Sequence, residues 1–152
     1  MDMRILAAAL VAAPLLCAPA AAMPLVATVD IATQTMTVER YGEVIHTWPV
    51  STARAGFTTP EGEWRPYRMH RLWHSRTYDN APMPFAVFYD RGWAVHGTTA
   101  VSRLGTPASH GCVRLETVNA ETFYNLVREI GAGNTRVVIR RETPLLSAEL
   151  RD

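Results

Sequence analysis

Past residue 23, apolar and polar positions alternate with a period of two in several short runs, the pattern of half-buried strands. Val26 to Ile31 alternates in this way, and Ala32 to Gln34 reads as a turn. Thr35 to Tyr41 resumes the alternation with β-branched residues, Gly42 breaks it, and Val44 to Ser51 completes a hairpin. Gly56 to Gly62 is a loop, and Trp64 to His70 is expected to be one strand with Pro66 at an edge or bulge. Phe85 to Tyr89 and Trp93 to His96 flank Asp90-Arg91-Gly92, a hairpin turn. Arg136 to Arg140 is a last short strand. Only Ala120, Phe123, Tyr124, Val127 and Ile130 recur at helical spacing, with Thr117 or Asn119 as cap and Gly131 as terminator. Thr143-Pro144 is read as the start of a short terminal helix. The expected fold class is mainly β, a β-sandwich or barrel-like arrangement with one main α-helix.

The first residues follow a different pattern. A short start with Arg4 precedes the unbroken apolar run Ile5 to Leu16, too short to span a bilayer and suited to a signal-peptide core. Ala18, Ala20 and Ala22 offer small-residue cleavage sites, with the cut expected after Ala22 and Ala20 as the alternative. Cys17 as a lipoprotein site is disfavoured by Leu16, where a small residue is usual. The chain therefore divides into a signal peptide over 1–22, a globular domain over 23–142 and a tail over 143–152. No later run is apolar enough to span a membrane, so no stable insertion is expected after cleavage. The expected location is the periplasm or cell envelope.

Composition narrows the chemistry. Charged residues make up 19% of the 152 and the net charge is +1, which argues against a nucleic-acid partner. Every one of the 15 Lys+Arg residues is arginine. That removes Schiff-base chemistry, a phosphate-loop lysine and a Ser-Lys dyad. Of the 2 cysteines, Cys17 leaves with the signal, and Cys112 remains without an intramolecular partner in an oxidising compartment. Such a cysteine is paired between chains, chemically active or inertly buried.

The surroundings of Cys112 favour activity. It stands in Ser109-His110-Gly111-Cys112-Val113-Arg114, and His96-Gly97 ends a strand upstream. A thiol attacks as its thiolate, and histidine is the side chain suited to take its proton near neutral pH. Backbone N–H groups around Gly111 and Cys112 are candidates to hold an oxyanion.

His96-Gly97-Thr98 followed by Ser109-His110-Gly111-Cys112-Val113-Arg114 resembles the signature of the YkuD-type L,D-transpeptidase catalytic domain. Thr59-Pro60-Glu61-Gly62 is similar to the family's Thr-Pro-x-Gly turn, and Pro82-Met83-Pro84-Phe85 to the segment before its catalytic strand. Arg114-Leu115 to Asn119-Ala120, then Phe123, resembles the strand and helix after its cysteine. The resemblance implies an L,D-transpeptidase catalytic domain over 23–142. It implies Cys112 as nucleophile, His96 as base, and the Gly97 carbonyl as the group orienting the imidazole. His110, Ser109 and Gly111 would form the pocket and its loop. Arg114 would fix the loop or meet a substrate carboxylate, and Phe85 would line the pocket or join the core. The implied substrates are peptidoglycan stem peptides, cleaved between a diamino acid and D-alanine through a thioester. The acceptor would be a stem amine, an envelope protein, a D-amino acid or water. No metal and no organic cofactor are implied.

Other readings of the same residues stand beside this one. An L,D-carboxypeptidase or a hydrolase releasing wall-linked peptides or proteins shares the acyl-enzyme. A non-catalytic wall-binding module is expected to lack Cys112 or His96. A papain-like protease carries its cysteine near the mature N-terminus and its histidine far downstream, the reverse of the order here. His70 and His74 have the spacing of a zinc pair but no evident third ligand. Arg65, Arg68, Arg71 and Arg76, mixed with Trp64, Tyr67, Trp73 and Tyr78, form either a solvated surface or a rim that attracts wall-peptide carboxylates.

Overall fold

A computed structural model describes residues 23–142. The signal-peptide, terminal-tail and terminal-helix assignments fall outside the described residues.

The alternating runs form the first sheet. β1 (Leu25–Asp30) and β2 (Thr35–Arg40) pair antiparallel with Val29 opposite Met36. Their inward residues Leu25, Ala27, Val29, Met36 and Val38 are fully buried. β3 (Glu43–Pro49) pairs with β2 and forms an edge. β9 (Thr135–Arg140) runs parallel to β1, and β4 (Gly62–Trp64) pairs antiparallel with β9. The order is β3-β2-β1-β9-β4.

The second sheet has the order β5-β6-β7-β8. It contains β5 (Arg68–His74), β6 (Pro82–Asp90), β7 (Trp93–Thr98) and β8 (Val113–Glu116). The expected single strand over Trp64 to His70 is instead the end of β4 and the start of β5, which lie in different sheets. Pro66 between them has no N–H for a ladder, so pairing stops there and the chain changes sheet.

The faces of this second sheet divide the labour. Val87, Tyr89, Val95, Val113 and Leu115 enter the main core with residues of the first sheet. Ala86, Phe88 and Ala94 face the other way, in a smaller cluster with Met83, Trp73 and Cys112. One face is therefore structural, and the other is left for a site.

The helix α1 (Thr117–Ile130) follows β8 directly and buries Ala120, Phe123, Tyr124 and Val127. Burying Phe123 alone contributes on the order of 2–3 kcal/mol. Neither expected side-chain cap forms: Glu116 occupies the N-cap position without a capping bond. Thr117 Oγ1 instead donates to Thr98 O at 3.3 Å, tying the helix start to the end of β7. Gly131 ends the helix at φ 95° and its N–H donates to Val127 O at 2.8 Å. The two sheets and single helix match the expected mainly-β class. Among the described residues no helix is long and apolar enough to cross a membrane.

Candidate active site

Strand register places the candidate nucleophile and base on one face. β7 and β8 run parallel, with Val95 opposite Val113 and His96 opposite Arg114. Cys112, the residue before β8, is therefore level with Ala94. Because side chains alternate, Ala94, His96, Cys112 and Arg114 share the face turned away from the main core. Both His96 and Cys112 line a cavity of about 760 Å³ on that face.

The imidazole is fixed in one tautomer by its own strand. His96 Nδ1 lies 2.8 Å from the carbonyl oxygen of Gly97. A carbonyl only accepts, so Nδ1 carries the proton and Nε2 presents a lone pair. The ring is 6% exposed, and this burial lowers its pKa to about 4. The bond to Gly97 opposes the shift, and repulsion from the Arg114 cation adds to it.

Burial raises the Cys112 thiol above its ordinary value, while the Ala94 N–H and the Arg114 charge pull it back. Sγ stands 3.9 Å from the Gly92 carbonyl. At neutral pH the cavity therefore holds a protonated thiol and a neutral imidazole.

The loop carrying the nucleophile is clamped by polar contacts. Ser109 Oγ donates to Cys112 O at 2.6 Å and accepts from Gly111 N at 3.0 Å. Thr59 Oγ1 donates to Gly111 O at 2.8 Å and accepts from Ala53 N at 2.9 Å. The segment after β3 runs alongside: Ser51 and Arg114 exchange two backbone bonds, and the N–H groups of Ala108 and Ser109 donate to Thr52 O. Thr52 is anchored in turn by buried Gln34, whose Nε2 donates to Thr52 Oγ1 at 2.6 Å and whose Oε1 accepts from Thr52 N at 2.9 Å. Sequence reasoning missed Gln34 and Thr52, and Thr59 entered only through a turn motif.

One expectation needs correction here. The Gly111 N–H is taken by Ser109 Oγ, so it is not a free oxyanion donor. Gly111 serves a steric purpose instead. Its φ is +139°, and an added Cβ would lie 2.5 Å from Trp93 Nε1 and 2.9 Å from Thr58 O. Only glycine fits this close approach.

His110 lines the cavity as an aromatic wall. Its ring stacks on Tyr78 at 4.2 Å and meets Phe57 edge-on at 4.6 Å. Burial and the cations of Arg54 and Arg114 lower its pKa. Arg114 also lines the cavity and reaches Ala108 O at 3.4 Å.

Phe85 does not line the cavity, contrary to the pocket reading. It packs against Tyr124 of α1 with centroids 5.9 Å apart. Its φ of 53° breaks the strand alternation at that point and redirects the side chain. His70 likewise packs on Trp73, at 4.7 Å, and no cluster of three metal-ligating groups occurs among the described residues.

Fold and cavity thus define a two-sheet protein with a buried, tautomer-fixed imidazole and a thiol on one sheet face. The family model of the L,D-transpeptidase catalytic domain, YkuD, matches residues 24–139, and the chain belongs to this family. The Bacillus subtilis (strain 168) protein YkuD is 26% identical over 117 residues, covering 74% of this chain and 64% of that protein. An L,D-transpeptidase from Mycobacterium smegmatis has a similar structure, with TM-score 0.68 and 25% identity over 76% of this chain and 58% of that one. The L,D-transpeptidase LdtMt1 in complex with imipenem gives TM-score 0.65 and 26% identity, with the same 76% and 58% coverage. The chain thus spans less than two thirds of the length of these relatives.

Proposed function

We propose that this protein is an exported L,D-transpeptidase in which Cys112 is the nucleophile and His96 the general base. The observation that carries the reading is the 2.8 Å contact from His96 Nδ1 to Gly97 O. It leaves Nε2 unprotonated in the cavity that the Cys112 thiol also lines. Membership of the L,D-transpeptidase family supports the same assignment.

The chemistry follows from a neutral pair. His96 Nε2 takes the thiol proton as Sγ bonds to the carbonyl carbon of the diamino acid in a stem peptide. The Cys112 N–H is the candidate donor to the developing oxyanion, since that of Gly111 is engaged. The carbon–nitrogen bond to D-alanine breaks, and the departing amine receives the proton from His96. A second amine then attacks the thioester, loses its proton to His96 and releases the thiol. Ser109, Gly111 and Thr59 hold the loop through which these steps pass, and His110 and Arg114 form its walls. Residues 1–22 support export to the cell envelope, where such peptides occur.

Incubation with a tetrapeptide-bearing muropeptide, followed by product masses, tests the reading. Cross-linked dimers or exchanged termini are expected from wild type and absent from Cys112→Ala. Tripeptide alone would move the assignment to an L,D-carboxypeptidase, and unchanged substrate would remove the enzyme assignment.

A further inference from the structure

The cavity has a second charged feature that acyl transfer does not use. Four arginines line it, Arg68, Arg76, Arg91 and Arg114, and no aspartate or glutamate does. None of the four has an ion-pair partner among the described residues, whereas Arg40, Arg136, Arg140 and Arg141 each pair with a glutamate.

Arg68 is the most constrained of them. Its Cζ lies 4.1 Å from the centroid of Phe88 and 4.7 Å from that of Trp73. Arg76 reaches the same Trp73 at 5.3 Å. Stacking on aromatic faces orients a guanidinium without consuming its N–H donors. Arg68 Nε is buried and has no hydrogen-bond partner. Two held cations without an acceptor make a ready receptor for a planar anion.

Register gives the distance to the nucleophile. Arg68 is opposite Phe88, Phe88 is opposite Ala94, and Ala94 is level with Cys112. These positions form one row across the sheet, floored by the small Ala94. Phe88 is two strands from Cys112, so the guanidinium over its ring stands roughly 10 Å from the nucleophile's position at about 4.8 Å per strand.

We infer that Arg68 and Arg76 form a carboxylate subsite that selects acyl donors whose free carboxylate reaches a guanidinium roughly 10 Å from the nucleophile. The inference rests on the donor reading above and adds its specificity. The carboxylate lies either on the side chain of the diamino acid or on the residue preceding it. Donors amidated at the engaged carboxylate lose the charge-assisted bonds and bind poorly.

Calorimetric titration of Cys112→Ala protein tests this without turnover. Four tetrapeptides are compared: both carboxylates free, each one amidated alone, and both amidated. The doubly amidated peptide is expected to bind about tenfold or more weakly than the free one, and the singly amidated pair identifies which carboxylate is engaged. Adding Arg68→Gln, or separately Arg76→Gln, should bring the free peptide down to the amidated level, with Arg68→Lys intermediate. Equal affinity for all four peptides would overturn the subsite while leaving the transferase reading intact. Binding of none would overturn both. Discrimination that survives in both folded glutamine variants would also overturn the assignment.

Discussion

The two walls of the cavity are built on opposite principles. The β7–β8 wall, with the loop before Cys112, is held by short hydrogen bonds in which polar groups find partners inside the protein: Ser109 to Cys112 and Gly111, Thr59 to Gly111, Gln34 to Thr52. The β5–β6 wall holds Arg68 and Arg76 by stacking on Trp73 and Phe88 and leaves their donors unpaired. In the proposed transferase the self-satisfied wall suits chemistry, which needs groups fixed to within fractions of an ångström. The stacked wall suits recognition, which needs donors in reserve.

Substitutions on the first wall sharpen this contrast most. Gly111→Ala puts a Cβ within 2.5 Å of Trp93 Nε1 at a φ that side chains avoid. A loss of about 2–4 kcal/mol is expected, together with collapse of acylation. Urea denaturation and carbapenem acylation kinetics check both, and a folded, fully active variant would break the clamped-wall account.

His96→Ala is expected to slow acylation by about 10²–10⁴-fold with little change in the fold, since it removes the base. Near-wild-type rates in stopped-flow acylation would contradict the role.

Ser109→Ala removes one donor–acceptor hydroxyl from the loop. A cost of about 1–3 kcal/mol is expected, with a smaller loss of rate than in His96→Ala. The rate of acylation measured against urea stability separates positioning from simple destabilisation.

The pH dependence is confined to acid conditions. Burial depresses the His96 pKa from 6.5 to about 4. Between those values the unfolded chain binds the proton and the folded chain does not, so stability falls as the pH drops from 6.5 to about 4 and levels off below it. The expected loss is on the order of 3 kcal/mol at full effect. Acylation at constant fold should persist down to about pH 5 and fail near 4 as Nε2 protonates. An apparent acidic limb near 7 would indicate a charged resting imidazole instead.

Much of the site was legible because covalent chemistry demands particular residue types. A lone thiol after Gly111 and a histidine closing a strand mark Cys112 and His96 as candidates without coordinates, and both line the cavity. Strands β1, β2 and β9 were legible because one face of each is buried, which imposes alternation. The brace was not. Ser109 entered through its motif, but Gln34 and Thr52 are polar residues far from it in sequence, and nothing local marks them as its partners. The split at Pro66 was read as an edge because a proline says that pairing stops and not where the chain goes next. Phe85 stood open between pocket and core because nothing local shows its left-handed backbone, at φ 53°, which sends the ring to Tyr124. The arginine-rich stretch was visible as composition, but only the register of β5 with β6 puts Arg68 in line with Cys112.

Intact-mass analysis after exposure to imipenem tests the central claim most directly. A single covalent adduct on wild type, mapped to the peptide containing Cys112 and missing from Cys112→Ala, is the predicted result. An adduct that persists on Cys112→Ala, or that maps to another residue, contradicts it.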